Sequence, residues 1–470
     1  MTLSRNTVFF LFFAAAVVAR VIFFFLTNFA ADDALITFRY AENLITGNGF
    51  VYNAGEKVLG TTTPLFTFIT SILMLLKFSA LKAAMLVSLI CSGLTAIIIY
   101  RLAQRLRFTK LSFVPALVYI LWPRSIVADT SGMETALFTL LIIAAWYFQH
   151  RKLSYYSVGL ATLASLCRPE GFLLLGIVLI YNCLKDRRYI LAYLAVPALI
   201  IIPWLVFSYL YFGTIVPTSI SGKLALYSHM AIPSFWEKLA YLMGWHNPLG
   251  WIMTALAFIG GWWLYQKQNF GVLEIIWLAA MIAFFTIGRT ALFFWYVVPV
   301  YPIYIIFASA SLPFLWDKIS IPSSRQLAAN MVLTVIICGT LLFMCRQQAI
   351  YYKDYARYLN EVHQAIGLYL RDNAAPNDVV AARYIGNTGY YSGLTILDRD
   401  GMVTPAAAQY NRQGNYLGLV LDFRPGWVVA APNREGDEFV DSSQFLEKYK
   451  FVKSFGWDAS VRHNLYQRKD

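Results

Sequence analysis

Charged residues are scarce in this sequence. Asp, Glu, Lys and Arg make up 13% of the 470 residues, whereas 59% are hydrophobic, and the mean hydropathy is +0.57. A soluble globular domain carries about twice that share of charge. The composition therefore excludes a protein that is soluble over its whole length. Apolar runs of about 17 to 25 residues, the length that crosses a bilayer, recur from Val8 to Cys345. The chain is therefore predicted to be a polytopic α-helical membrane protein.

Cysteine and several familiar catalytic patterns are also scarce or missing. None of the five cysteines has metal-site spacing, and they all lie in or beside apolar runs: Cys91, Cys167, Cys183, Cys338 and Cys345. The segment after Arg346 has no cysteine, which excludes a disulfide there. It also has no nucleotide-binding glycine pattern, no His pair and no Ser-His-Asp arrangement. The apolar region shows no internal repeat.

The net charge of +13 is concentrated in short connectors between apolar runs, such as Arg101 to Lys110 and Lys185 to Arg188. This distribution is typical of the positive-inside bias. It indicates cytoplasmic connectors and contact with anionic membrane lipids, and no nucleic-acid partner. The bias predicts about eleven crossings of a bacterial inner membrane, with the N-terminus cytoplasmic and the C-terminus periplasmic.

Two apolar stretches and one arginine depart from simple crossings. Pro64 to Leu81 is short and flanked by lysines, and we expect it to dip into the outer leaflet without crossing. Tyr155 to Leu184 is broken by Arg168-Pro169-Glu170-Gly171, which predicts a helical hairpin with its tip outside. Arg20 lies inside the first apolar run, either as a structural partner of a polar group or as an anion ligand.

The composition divides the chain into a membrane domain, residues 1–345, and a soluble periplasmic domain, residues 346–470. The soluble part opens with a predicted helix from Gln347 to Arg371. Three short β-rich runs follow (VVAA, LTILD and WVVAA), with a further helical stretch from Ser443 to Lys450. The alternation predicts a small α/β domain.

The first outer loop, residues 31–63, is polar and acidic at a point where a membrane protein would normally cross back. It begins with Asp32 and Asp33 and continues with an amphipathic pattern over Ala34 to Ile45 that has Arg39 on its polar face. We expect a helix lying in the membrane interface. Adjacent carboxylates raise the proton affinity of at least one of them, which suits a general base near neutral pH. Alone, such a pair can equally be a solvated face or a helix N-cap.

Further charged side chains are predicted to lie on the same outer side: Arg39, Asp129, Glu134, Arg168, Glu170, Lys223 and Arg289. Arginine holds phosphate in a fixed fork, and a carboxylate can accept a proton. Because no nucleotide is available outside a bacterial inner membrane, a lipid-borne phosphate is the expected donor group. Asp32 and Asp33 could also hold a divalent metal ion such as Mg, Mn or Ca through oxygen ligands.

The loop sequence DDALITFRYAENLITGNGFVYNAGEKVLGTTTPL resembles the first outer loop of the GT-C superfamily, membrane glycosyltransferases that use polyprenyl-phosphate sugars. It is similar in particular to bacterial terminal arabinofuranosyltransferases, and more distantly to the 4-amino-arabinose lipid A transferase and the protein O-mannosyltransferases. The motifs SGMET, RPEG, FGTIVPTSISGK, FFWYVVPVYP and YYSGLTILDRDGMVTP extend the resemblance over most of the chain.

The resemblance implies a role for each site residue. Asp32 or Asp33 would be the base that deprotonates the acceptor, and Asp129 or Glu134 would match a second acidic position. Arg168, Lys223 and Arg289 would contact the donor phosphate. It implies an inverting transfer of a sugar to a hydroxyl of an envelope glycan, lipid or protein. A transporter or flippase for lipid-linked saccharide, and an oligosaccharide ligase that uses a polyprenyl-diphosphate donor, remain alternatives. The sugar, the acceptor and the metal requirement stay open.

Overall fold

The computed structural model describes residues 4–227, 232–268, 270–288, 291–319, 323–432 and 434–469. The helices in the first half of the chain are α1 Arg5–Thr27, α2 Asp32–Ile45, α3 Pro64–Leu75, α4 Ala80–Arg105, α5 Val114–Ile120, α6 Pro123–Thr130, α7 Thr135–His150, α8 Ser154–Cys167, α9 Gly171–Lys185, α10 Ile190–Phe212 and α11 Thr218–Leu226. They are followed by α12 Phe235–Met243, α13 Pro248–Gln268, α14 Val272–Ile287, α15 Phe294–Val297, α16 Tyr301–Ile319, α17 Ser323–Tyr358 and α18 Ala365–Asn373.

Strands appear only in the last part of the described chain. In order, the remaining elements are β1 Val379–Ala382, α19 Ile385–Ser392, β2 Thr395–Asp398, α20 Ala407–Gln413, α21 Tyr416–Phe423, β3 Trp427–Ala430, α22 Ser443–Lys448, β4 Tyr449–Phe455 and β5 His463–Arg468.

The chain forms two compact units, and both are discontinuous in sequence. The helical unit comprises Met1–Thr27, Ala84–Pro203 and Pro233–Tyr351. The mixed unit comprises Asn28–Ala83, Trp204–Ile232 and Tyr352–Asp470. The predicted division at residue 345 is linear, whereas the mixed unit gathers the first outer loop and the C-terminal segment into one body.

Five helices of the described chain are long and apolar enough to cross a membrane: Arg5–Thr27, Ala80–Arg105, Arg187–Phe212, Phe294–Leu315 and Ala328–Asn373. A sixth span is possible if the bent pair Thr109–Ile120 and Pro123–Thr130 counts as one. Four shorter apolar helices accompany them, among them α3. Twelve residues give α3 a length of about 18 Å, less than the roughly 30 Å of hydrocarbon. The number of crossings and their orientation stay predictions.

The predicted hairpin within 155–184 is confirmed as α8 and α9, with the break at Arg168 to Glu170. Gly171 begins α9 close to the preceding helix. A Cβ at this position would lie 2.4 Å from the carbonyl oxygen of Ala164, so only glycine allows the two helices to approach this closely.

The C-terminal α/β domain is confirmed as a five-stranded sheet of order β2-β1-β3-β5-β4. β1 pairs in parallel with β2 and β3, and β5 pairs antiparallel with β3 and β4. The runs VVAA, LTILD and WVVAA correspond to β1, β2 and β3. The helix predicted from Gln347 to Arg371 is found as the end of α17, a π-helical turn at Leu359–Gln364, and α18. Strands β4 and β5 were not predicted.

Both faces of the sheet are covered, and the first outer loop supplies part of one cover. Alternate residues of β1 point to opposite sides, with Val380 in one apolar cluster and Ala381 in the other, as the two-residue period of a strand requires. The cluster around Val380 also contains Ile36, Tyr40 and Tyr52 of the loop. The core of the C-terminal sheet is therefore completed by residues more than 300 positions earlier in the chain.

The amphipathic helix predicted at 34–45 is confirmed as α2, but its surroundings differ from the prediction. All residues from Ala34 to Tyr40 are buried, including Arg39 on the polar face. The cover on that face is protein, because backbone carbonyl groups of the C-terminal domain accept hydrogen bonds from Arg39. The first half of α2 is thus a core helix of the mixed unit, not a helix resting on lipid.

Candidate catalytic site

Asp32 is fixed in place by the C-terminal domain within the mixed unit. Its Oδ1 accepts hydrogen bonds from the backbone N–H of Asn387 at 2.7 Å and from Asn387 Nδ2 at 2.8 Å, and its Oδ2 accepts one from the backbone N–H of Gly386 at 3.0 Å. Gly386 and Asn387 form the first turn of α19. A carboxylate at this point satisfies amide groups that have no partner within the helix and is favoured by the helix dipole.

Only glycine at position 386 allows this approach. A Cβ on Gly386 would lie 1.8 Å from the backbone oxygen of Asp32 and 2.8 Å from its Cγ. Both atoms are too close for any side chain to fit without moving one of the two helices. The contact between α2 and α19 therefore requires both Asp32 on α2 and glycine at position 386 on α19.

Burial raises the pKa of Asp32 to about 6, the hydrogen bonds from Asn387 oppose the rise, and the neighbouring charge of Asp33 adds to it. Removing a carboxylate from water disfavours its charged form, whereas hydrogen bonds to the anion favour it. The direction predicted from the sequence for one member of the pair thus applies to Asp32.

Asp33 differs from Asp32 in its partners. It is half-buried in the first turn of α2, and with the residues that the structure describes it makes no hydrogen bond or ion pair. A carboxylate with no internal partner keeps all its lone pairs for a substrate hydroxyl or a cation. The two adjacent aspartates therefore have different surroundings. Asp32 is hydrogen-bonded by the protein, whereas the carboxylate of Asp33 is available to a ligand.

Arg39 fastens the loop to the C-terminal domain. Its Nε donates to the backbone oxygen of Tyr52 at 2.7 Å, and its Nη1 and Nη2 donate to the backbone oxygens of Gly389 at 2.5 Å and Leu394 at 2.6 Å. A further bond reaches Asn53 Oδ1. These bonds and the burial of the side chain give Arg39 a structural role in holding the loop. Its predicted binding of the donor phosphate or sugar stays a prediction.

Lys223 lies on α11, which belongs to the same unit. Thr218, at the start of this helix, donates through its backbone N–H to Leu59 O at 2.8 Å and through Oγ1 to Met402 O at 2.7 Å. Gly222 packs so closely on Gly401 that a Cβ would lie 2.4 Å from its oxygen. These contacts hold the segment with Lys223 against both the first loop and the C-terminal domain.

In the helical unit, Arg168 connects two glutamates that each precede a helix. Its Nη1 lies 2.9 Å from Glu134 Oε1, and its Nη2 lies 3.2 Å from Glu170 Oε1. Glu134 and Glu170 flank the N-termini of α7 and α9, where the helix dipole favours negative charge. All three side chains are buried. The structure brings these predicted site residues together as an ion-paired cluster, and their contact with a substrate stays a prediction.

Asp129 is the partner of Arg20. Arg20 Nη2 and Nε each lie 3.0 Å from Asp129 Oδ2, which also accepts a hydrogen bond from Ser92 Oγ at 2.8 Å. Arg20 donates further to the backbone oxygen of Ile120. Of the two interpretations of Arg20, the geometry favours a structural partner for a buried carboxylate. The remaining predicted residue, Arg289, lies outside the described residues.

Sequence reasoning missed Arg124, which lines a cavity of about 160 Å³ in the helical unit. Its Nη1 donates to Tyr301 Oη at 3.0 Å and to Tyr241 O at 3.3 Å. The cavity wall also carries His246 and Gln348 beside methionine and tryptophan side chains. The signal in the sequence was an arginine directly after Pro123, at the break between two apolar segments.

The residues present fit a metal ion only in part. Within the described ranges, no three His, Cys, Asp or Glu side chains gather closely enough to form a metal site. The lone pairs of Asp32 are already shared among three N–H donors. Asp33 is therefore the one member of the pair that has its oxygens available to a cation.

Comparison with known proteins gives three findings. Residues 348–468 match the model of a family described as a domain of unknown function, DUF8728. The chain is 29% identical over 251 residues to the terminal beta-(1->2)-arabinofuranosyltransferase of Mycobacterium tuberculosis, an alignment that covers 48% of this chain and 39% of that relative. The match thus spans well under half of the curated relative.

The fold is similar to that of ArnT from Cupriavidus metallidurans over 98% of both chains. The TM-score is 0.66 with 16% identity for the apo crystal structure, and 0.64 with 15% identity for the crystal structure bound to undecaprenyl phosphate. The chain therefore has a fold like that of ArnT, and the predicted multi-helix fold with a small C-terminal α/β domain is confirmed.

Proposed function

We propose that the protein is a membrane glycosyltransferase that transfers a sugar from a polyprenyl-phosphate donor to a hydroxyl group of an acceptor. The observation that carries the proposal is the asymmetric aspartate pair, in which Asp32 is held by α19 and Asp33 has no partner among the described residues. The sequence similarity to an arabinofuranosyltransferase and the fold shared with an undecaprenyl-phosphate-binding protein support the proposed donor class.

In this proposal Asp33 is the general base. The acceptor oxygen attacks the anomeric carbon, its proton passes to the Asp33 carboxylate, and the bond between the anomeric carbon and the phosphate oxygen breaks. The electrons of that bond leave with polyprenyl phosphate, and the anomeric configuration inverts. A positioned carboxylate base contributes on the order of 10² to 10⁴ in rate.

Asp32 is a positioning residue in the same proposal. Its three hydrogen bonds fix the first turn of α2, and Asp33 is the next residue in that turn. These bonds hold the backbone of Asp33 in place, so that its unpartnered carboxylate can meet the acceptor hydroxyl.

The donor phosphate requires cations, and the proposal retains Lys223, Arg168 and Arg289 as predicted contacts. A divalent cation, if the enzyme uses one, would be held by Asp33 together with phosphate oxygens and would neutralise charge on the leaving group.

The acceptor is proposed to be an envelope glycan, lipid or protein on the periplasmic side of a bacterial inner membrane. This placement rests on the positive-inside bias of the connectors. Sugar transfer from a lipid carrier on that side needs no soluble nucleotide donor, which matches the donor class proposed here.

The test is turnover with defined donors. The purified protein in nanodiscs is incubated with a panel of polyprenyl-phosphate pentoses and hexoses, and released polyprenyl phosphate is measured. Asp33→Asn should abolish release, whereas Glu42→Gln, the same type of change at an exposed position of α2, should leave it intact. Release that persists in Asp33→Asn would refute the base assignment. Flipping of a lipid-linked saccharide without release would favour a transporter.

A further inference from the structure

The parallel part of the C-terminal sheet has a point where successive crossovers diverge. β1 leads through α19 to β2 on one side, and β2 leads through α20 and α21 to β3 on the other side of β1. Ile385 of α19 belongs to one apolar cluster, and Leu419 of α21 belongs to the other, so the crossover helices lie on opposite faces. In open α/β sheets of this type, ligands bind in the crevice at the carboxyl ends of the strands where the connections diverge.

An arginine follows each of the three parallel strands at this edge. Arg383 comes directly after β1, Arg399 directly after β2, and Arg434 four residues after the end of β3. Arg383 Nη1 donates to Glu435 O at 2.8 Å, and Arg399 Nη2 donates to Gly436 O at 2.9 Å. Backbone carbonyl groups of the loop after β3 thus accept hydrogen bonds from the guanidinium groups that follow the other two strands.

The carboxylates at this edge belong to Asp437 and Asp400, with Asp398 behind them at the end of β2. Arg399 Nη2 lies 2.5 Å from Asp437 Oδ1. Arg383 Nε lies 3.3 Å from Asp400 Oδ1, which is close enough for electrostatic attraction. The two atoms are not aligned for a hydrogen bond, and neither has a hydrogen-bond partner among the described residues. Arg383 Nε also lies 3.8 Å from Asp437 Oδ1. Among the described residues, three ion pairs therefore use two of the arginines.

Arg434 is the third cation, and its surroundings are different. It is half-buried and stands over the ring of Tyr384 at 5.1 Å. With the residues that the structure describes, its guanidinium makes no hydrogen bond and no close ion pair. A guanidinium on an aromatic face keeps its N–H edge available to an anion.

Two buried donors at the same edge of the sheet lack acceptors. Arg383 Nη2 and Arg399 Nε have no hydrogen-bond partner in the described part of the chain, and both side chains are almost completely buried. Leaving a buried donor without an acceptor destabilises the folded state. An anion bound at this edge would provide the missing acceptor oxygens.

Aromatic rings line the other side. Tyr384 stacks on His363 with ring centroids 3.7 Å apart, and Arg383 faces the ring of Tyr416 at 5.5 Å. His363 lies in the π-helical turn that precedes α18, and such turns occur often at functional sites. The Tyr384 ring is therefore in contact with both His363 and Arg434, and it holds the Arg434 guanidinium at this edge of the sheet.

We propose that the carboxyl ends of β1, β2 and β3 form a binding site for the phosphate or carboxylate group of a saccharide, with Arg434 and Arg383 as donors and the Tyr384 ring supporting the Arg434 guanidinium. The inference rests on the proposed function for the choice of a saccharide ligand. The same edge of the sheet carries the N-terminus of α19, where Asp32 occupies two amides of the first turn. A ligand here would therefore bind next to the segment that positions the acidic pair.

The first test measures binding by the full-length protein in nanodiscs, using calorimetry with glucose 1-phosphate, inorganic phosphate and glucose. Glucose 1-phosphate should bind, and Arg434→Ala should weaken it by at least tenfold. Arg462→Ala, which removes an exposed arginine of the same domain, should leave the affinity unchanged. Tyr384→Leu, which removes the ring beneath Arg434, should weaken glucose 1-phosphate and inorganic phosphate to a similar extent.

A second arm separates the two sources of such a group. Undecaprenyl phosphate is titrated into the same nanodiscs, with and without Arg434→Ala. Arg434-dependent binding of the soluble ester indicates an acidic acceptor, and Arg434-dependent binding of the lipid alone indicates the donor. No binding of any anion, or equal binding by the wild type and Arg434→Ala, overturns the proposal.

The outcome is independent of the transferase test. If Asp33→Asn abolishes transfer while Arg434→Ala changes neither affinity nor KM, the crevice site fails alone. If no donor supports transfer but glucose 1-phosphate binds through Arg434, the proposed function fails and the site stands.

Discussion

Replacing each aspartate of the pair separates anchoring from catalysis. Asp32→Ala removes three hydrogen bonds to a carboxylate and leaves the amides of Gly386 and Asn387 without acceptors. Bonds to a charged group contribute about 1.5 to 3 kcal/mol each, but losses at one site are not additive. Measured near pH 5, below the folded pKa of about 6, the loss should be about 3 to 5 kcal/mol in the mixed unit, which corresponds to roughly 2 to 4 °C per kcal/mol in Tm. Asp33→Ala should leave Tm within about 2 °C of the wild type, since surface-type changes rarely exceed 0.5 kcal/mol.

The assay is thermal unfolding of the purified variants in one detergent at one protein concentration, followed by intrinsic fluorescence. Turnover is measured on the same samples below the Tm of the weaker variant. The expected pattern is a lower Tm with reduced turnover for Asp32→Ala, and an unchanged Tm with abolished turnover for Asp33→Ala. An unchanged Tm in Asp32→Ala, or an equal fall in both variants, would refute the anchoring role.

Four further predictions follow from the same contacts. Gly386→Ala should lower Tm and turnover because its Cβ would meet Asp32 at 1.8 Å, whereas Gly176→Ala, with open space around it, should do neither. Arg39→Lys should destabilise the protein, because the three N–H donors of an ammonium group cannot replace a guanidinium that donates to four acceptors. Urea unfolding measures the loss in the free energy of unfolding. Arg168→Ala removes the cation that lies 2.9 Å from Glu134 and 3.2 Å from Glu170, both of them buried, so we expect a loss of about 3 to 5 kcal/mol and a low yield of folded protein in gel filtration. Because the folded pKa of Asp32 is raised from 3.8 to about 6, its stabilising contribution is complete below about pH 3.8 and is lost as the pH rises through 6; the Tm difference between the wild type and Asp32→Asn should change across that range, and a constant difference would contradict the shift.

Local patterns carried the correct parts of the sequence prediction. The hairpin of α8 and α9 was predicted because Pro169 and Gly171 interrupt an apolar run. The strands β1, β2 and β3 were predicted because they are short apolar runs bounded by turn residues.

The missed strands lack that signal. β4 has mostly exposed residues between its buried ends, and β5 begins and ends with polar side chains. β4 is an edge strand and β5 lies between β3 and β4. Both are specified by their neighbours and by the turn at Gly456, whose φ of +111° favours glycine.

The partners of the candidate site were out of reach of local patterns. Asp32 and Asn387 are 355 positions apart, and nothing in the loop sequence indicates that its first carboxylate caps a helix of another segment. The same holds for Arg39, which a helical wheel places on a polar face but which is buried by the C-terminal domain. The sequence indicated only part of the Arg168 cluster. Glu170 is two residues from Arg168, whereas Glu134 lies 34 residues earlier, directly before α7.

The central claim is that this chain transfers a sugar from a polyprenyl-phosphate donor with Asp33 as the base. The most direct measurement is the release of polyprenyl phosphate from defined polyprenyl-phosphate sugars by the nanodisc-embedded protein, compared among the wild type, Asp33→Asn and Glu42→Gln. We predict release by the wild type and Glu42→Gln with at least one donor, and a loss on the order of 10² to 10⁴ in Asp33→Asn. Equal release by all three proteins would contradict the base assignment, and no release from any donor would contradict the proposed activity.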